Sequence, residues 1–131
     1  MVQTAWIRDS FDVLFGNVRL QRVETDPLTG TLTLRAACAE GGEQKILYEG
    51  VLYSQIGSGS EGKRIAIAVE LTPDELRGDR HQFPAARFRT DCGLRDLDVL
   101  EELNRCGYRL FSHFVGVHDE LIVVARGLLV M

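Results

Sequence analysis

Lysine is nearly absent from this chain: of its fifteen basic residues only Lys45 and Lys63 carry an ammonium group, and the rest are arginine. This preference reads first as a genome's codon bias and second as a need for forked anion contacts. The formal net charge of −4 weighs against nucleic acid as a partner, since nonspecific affinity for phosphate backbones comes from cations that displace counterions. Cysteine is scarce too. Cys38, Cys92 and Cys106 are odd in number and widely spaced, which excludes a secreted disulfide framework and fits a reducing cytoplasm. No apolar run approaches the roughly 20 residues that span a bilayer; the longest, Leu121 to Met131, is interrupted by Arg126. The opening residues, Met1 to Asp9, lack the apolar core and small-residue cleavage site of a signal peptide. Repeats, low-complexity segments and linkers are also missing. The expectation is one compact cytoplasmic domain over residues 1–131, with no membrane span.

What is present suits that expectation. Hydrophobic residues make up 45% and charged residues 26%, an ordinary globular balance. A chain of this length buries about two-thirds of its unfolded surface without metal or disulfide staples.

Apolar alternation is the main structural signal. Phe11, Val13 and Phe15, then Val18 and Leu20, alternate with a break of phase at Gly16-Asn17, which predicts a bulge or tight turn. Asp26-Pro27-Leu28-Thr29-Gly30 predicts a hairpin turn. Leu32, Leu34, Ala36 and Cys38 then alternate with polar residues as in a half-buried strand. After a second turn at Glu40 to Glu43, residues 44–56 form a third strand candidate, and residues 63–71 a fourth. The first half therefore predicts an antiparallel meander.

Thr72-Pro73-Asp74-Glu75 has the cap, proline and acid of a helix start, predicting a short helical turn over about 73–77. Residues 86–90 suggest a short fifth strand. The clearest helix is about 94–106: acids near its start, Arg105 near its end, Gly107 as terminator, and Leu97, Leu100 and Leu103, helped by Val99 and Cys106, along one face. Two more strands follow, over 108–115 and 120–130, joined around residues 116–119; the last is apolar on both faces and belongs at the centre of the sheet or at an interface. The fold class expected is α+β, a mostly antiparallel sheet of about six or seven strands packed by one main helix.

Functional motifs are sparse. Gly57-Ser58-Gly59-Ser60-Glu61-Gly62 fits G-x-G-x-x-G, but dinucleotide-binding glycines open a helix and here a strand follows. The other residues of a kinase site are missing, so the glycines predict a mobile connection between strands. Cys92, Cys106, His113 and His118 lack the paired spacing of a structural zinc site, and no metal or cofactor is expected. His118 beside Asp119, with His113 nearby, is the available general acid–base set, though adjacent residues in an extended segment point apart and a polar turn accounts for the pair as well. Arg77, Arg80, Arg87 and Arg89 stand around a single acid, Asp79, with Phe83 and Phe88 among them; they could fork onto an anionic ligand, or pair with neighbouring acids on a solvated face.

Two functions follow as expectations. The first is a non-catalytic protein-binding, regulatory or accessory module, held to a protein partner or to a second copy of itself through the apolar C-terminal strand. The alternative is a small anionic-ligand binder or small enzyme with a pocket between helix and sheet, using the arginines and histidines.

Overall fold

The computed structural model describes residues 12–71, 99–115 and 119–131. Strands β1 (Asp12–Asp26), β2 (Thr31–Cys38) and β3 (Glu43–Glu49) form the expected N-terminal meander. Its first turn is closed by the Asp26 carboxylate, which accepts the Leu28 N–H at 3.0 Å, and by Gly30 at a φ of +67°. In the second, Gly41 and Gly42 take φ values of +97° and +88°, open to glycine because it has no Cβ to clash.

After β3 the meander stops. β4 (Tyr53–Ser54) leads into one 3-10 turn at Ser58–Ser60 and then β5 (Arg64–Leu71). β5 is the strand expected after the glycines, yet it pairs with β1 on the side away from β2. The glycine segment is therefore a crossover instead of a hairpin tip. It is also tied down, which corrects the expectation of a loose connection: the Glu61 carboxylate accepts the Val23 N–H at 2.9 Å, Gly62 N–H donates to the Leu20 carbonyl at 2.7 Å, and Ser60 is buried.

Helix α1 (Val99–Arg105) is followed by β6 (Arg109–Val115), β7 (Asp119–Ala125) and β8 (Gly127–Val130). The predicted C-terminal glycine is in place. Gly107 sits at a φ of +87°, Tyr108 N–H donates to the Leu103 carbonyl at 2.9 Å and Gly107 N–H to that of Asn104 at 3.1 Å, which is the Schellman pattern.

Among the described residues all strand pairings are antiparallel, in the order β4-β7-β6-β5-β1-β2-β3-β8. The two ends of that order are the same seam. β4 continues β3 along the chain and β8 continues β7, and β3 pairs with β8 while β4 pairs with β7. Between Glu49↔Gly127 and Tyr53↔Val124 one side advances four residues and the other three, a one-residue bulge in a single ladder. Backbone bonds bridge the gap: Arg126 N–H to the Glu49 carbonyl at 2.8 Å and Leu52 N–H to that of Val124 at 2.9 Å. The described strands thus close into a barrel of six segments, which removes most of the open edge a flat sheet would present.

Closure requires the strands to bend, and glycine marks both corners. In β1, Phe15 and Val18 both enter the core, so inside and outside exchange across Gly16 and Asn17; β5 makes the matching change between Ile65 and Ala68. A Cβ on Gly16 would lie 2.7 Å from the Ala66 carbonyl oxygen, so only glycine allows this approach. Asn17 takes a φ of +57°. The second corner lies on the other seam, where Gly50, at a φ of +61°, packs under Arg126.

The barrel has one core inside and another outside. Phe15, Leu20, Leu34, Ile46, Tyr48 and Phe111, with residues from the other strands, fill the interior. On the outer face of β5, β6 and β7, Val69, Leu71, Leu110, Ile122 and Val124 form a second cluster with Leu103 of α1. In their middle these strands are buried on both faces; of the last apolar stretch this holds for β7, over 122–125, and not for β8. The wall made by β1, β2 and β3 exposes Arg19, Arg22, Glu24, Arg35 and Lys45, the reverse of the apolar exterior of a membrane-spanning barrel. Among the described residues no helix is long and apolar enough to cross a membrane.

Of the expected class, the mostly antiparallel sheet is present: among the described residues all strand pairings are antiparallel, while α1 covers seven residues and the 3-10 turn three. The first part of the expected helix (94–98), the helical turn (73–77) and the short strand (86–90) lie outside the described residues. Cys106, expected on the apolar helix face, is exposed.

Gly16→Ala should lower stability by about 2 kcal/mol, the cost of forcing a methyl against backbone, seen as a lower urea midpoint with unchanged slope. An unaffected midpoint would show that the corner does not need the close approach.

Candidate functional site

Of the residues singled out from sequence, His113 has the most defined surroundings. β6 alternates strictly: Phe111 and His113 point into the barrel, Leu110 and Ser112 away from it, and all four are buried. The His113 ring lies 5.9 Å from that of Phe15 and 5.6 Å from that of Tyr48, centroid to centroid, and Tyr48 in turn is 5.3 Å from Phe111. Four rings thus occupy the interior.

The hydrogen bonds define the imidazole's state. Nδ1 is 2.8 Å from the Leu121 carbonyl oxygen, which can only accept, so Nδ1 carries the proton. Nε2 is then a lone pair, and it receives the Tyr48 hydroxyl. Burial lowers the His113 pKa to about 4, against smaller upward pulls from the Leu121 carbonyl bond and the Glu120 carboxylate. Burial also pushes the Tyr48 phenol above its ordinary value. At neutral pH the pair is uncharged and fully hydrogen-bonded, as buried polar groups must be.

Both His113 and Tyr48 have no exposed surface, so a proton on this pair has no direct route to substrate or solvent. The arrangement fixes the packing of the interior. Asp119 begins β7 and is exposed, opposite Val115; it does not share a site with His113. His118, Arg77, Arg80, Arg87 and Arg89 lie outside the described residues, as does Cys92. Cys38 is half-buried on β2. Among the described residues no group of three or more His, Cys, Asp or Glu is placed to hold a metal.

Sequence reasoning missed Tyr48 as the partner of His113, because the two are 65 positions apart and only the barrel brings them together. A signal did exist: Tyr48 shares the parity of the apolar Ile46, which marks a polar tip entering the core.

No family model matches the chain, and no curated protein matches it. Among solved structures, an uncharacterized protein from Neisseria gonorrhoeae aligns over 92% of this chain and 95% of its own at 12% identity, with a TM-score of 0.49.

The Tyr48–His113 bond leads to two expectations. A neutral buried histidine is protonated in the unfolded chain below about 6.5 but in the native state only near 4, so the unfolded state binds more protons across that window. Stability is therefore fully present above 6.5 and falls as the pH drops towards 4, at up to about 1.4 kcal/mol per pH unit from this group. Denaturation midpoints measured against pH should show that slope in the native protein and not in a Tyr48→Phe/His113→Leu double variant. Tyr48→Phe alone leaves Nε2 buried and unbonded and should cost about 1–3 kcal/mol, with the double variant less destabilised than the sum of the two single changes.

Proposed function

We propose that this chain is a non-catalytic binding module, regulatory or accessory in role, and that it works by holding a protein, with a second copy of itself as the first partner. The observation that carries this reading is the edge of β8. One side of β8 is bonded to β3, with Met131 continuing the ladder through two bonds to Lys45. Among the described residues no strand pairs with the other side.

The side chains there are apolar and open: Leu129 is 49% exposed, Val130 40% and Met131 58%. An uncovered edge with apolar side chains is what folded proteins ordinarily blunt with charge or proline. Residues 127–131 carry no side-chain charge, so two copies meeting about a two-fold axis would bring no like charges together. Strand addition at this edge would supply main-chain bonds and cover the three side chains at once.

The sealed state of His113 supports the non-catalytic half of the reading, since the one described histidine is committed to the interior. Sedimentation at tens of micromolar should give a dimer, and Leu129→Lys should shift it to monomer without loss of β-sheet signal. A native protein that stays monomeric throughout that range would overturn the dimer.

A further inference from the structure

Arg19 of β1 and Arg64 of β5 stand directly opposite each other in the ladder. Both are exposed on the outer wall, between inward-facing Val18, Leu20 and Ile65. Directly opposed side chains in an antiparallel pair rise from the same face about 5 Å apart at Cβ, and two like charges in that position destabilise the sheet. Other arginines of this wall and its rim avoid the problem by meeting carboxylates. Arg22 is 3.4 Å from Glu24, Arg35 is 3.9 Å from both Glu24 and Glu43, and Arg109 donates to Glu70 at 3.0 Å.

Arg19 and Arg64 meet only neutral oxygens among the described residues. Arg19 Nη1 donates to the Gly62 carbonyl at 3.2 Å, and Arg64 Nη2 donates to the Asn17 side-chain oxygen. Each contact uses one nitrogen of a five-donor fork. Among the described residues these contacts leave most of the donors and both charges without an anion. In a chain of net charge −4, two adjacent uncompensated arginines are a specific arrangement.

The pair also borders a cleft. It has a volume of about 280 Å³ and is lined by Asn17, Arg19, Cys38 and Arg64, with Ala37 and Ala39 beside them. Asn17 sits in the left-handed region at a φ of +57°, a conformation that costs energy in a non-glycine residue and gathers at functional sites. Here it belongs to the corner that brings β1 and β5 into this register.

We propose that the cleft is an anion site that takes the phosphate group of a small phosphorylated molecule. Two guanidinium forks match the charge and oxygen geometry of a phosphate dianion, whereas a carboxylate would neutralise only one of them. The volume is near the low end for ligand pockets, which suits a phosphate and a few attached carbons. The site is separate from the β8 edge, and its occupancy does not depend on the dimer.

Thermal melts with inorganic phosphate and with ribose 5-phosphate, at constant ionic strength held with sodium chloride, test this. Either ligand should raise the melting temperature saturably by several degrees, with a mid-point below about 10 mM. Arg19→Gln and Arg64→Gln should each weaken binding at least tenfold, while Arg22→Gln, whose side chain faces Glu24, should leave it unchanged. Both cleft variants alter exposed side chains, so they should fold, with melting temperatures in phosphate-free buffer at or above the native value. No saturable shift with either ligand, equal shifts in the cleft variants, or acetate acting as strongly as phosphate would each overturn the proposal.

Discussion

Closure of the sheet is the constraint on which the other features depend. One seam joins β1 to β5 and the other joins the β3–β4 segment to the β8–β7 segment. With both seams formed there is an inside, and His113 and Tyr48 meet there although they are distant in sequence. The same closure sets Arg19 against Arg64 on the outside. Without the second seam, β3 and β7 would each expose an unpaired edge.

Closure is made possible by backbone more than by side chains. A six-segment barrel curves too sharply for regular pleating, and bulges and glycines absorb the bend. Gly16 permits an approach that any Cβ would block, and Gly50 takes a positive φ of +61° beneath Arg126. The energies differ in kind. An exposed pair such as Arg22–Glu24 contributes at most about 1 kcal/mol, whereas an unbonded nitrogen inside the barrel costs more than that. Among the described residues the interior Tyr48 and His113 are therefore fully paired, while the wall leaves Arg19 and Arg64 without carboxylates. An anion from solution is the natural complement to the latter.

Much of the local structure could be read from the residues. The hairpin turns at Asp26–Gly30 and Gly41–Gly42, the change of phase at Gly16-Asn17, the strand after the glycines and the helix terminator Gly107 all follow from short-range backbone chemistry. What could not be read was which strands meet. The alternation of Ile65, Ile67 and Val69 marks a strand but not its neighbours, so the crossover to β1 looked like a fourth step of the meander. For the same reason the apolar stretch after Glu120 read as one strand, when it is a bent pair in two parts of the seam. The chemistry of His113 is legible in the sequence; that it is enclosed depends on tertiary parity. Arg19 and Arg64 give no signal in the sequence, since each alone is an ordinary outward-facing residue.

Closure of the sheet at both seams is tested most directly by amide and α-proton NOEs in solution. A closed barrel gives cross-strand contacts between Val18 and Ile65 at one seam, and between Tyr53 and Val124 and between Leu47 and Leu129 at the other. Contacts at the first seam with none at the second would mean an open sheet, and the interior built around His113 would not exist as described.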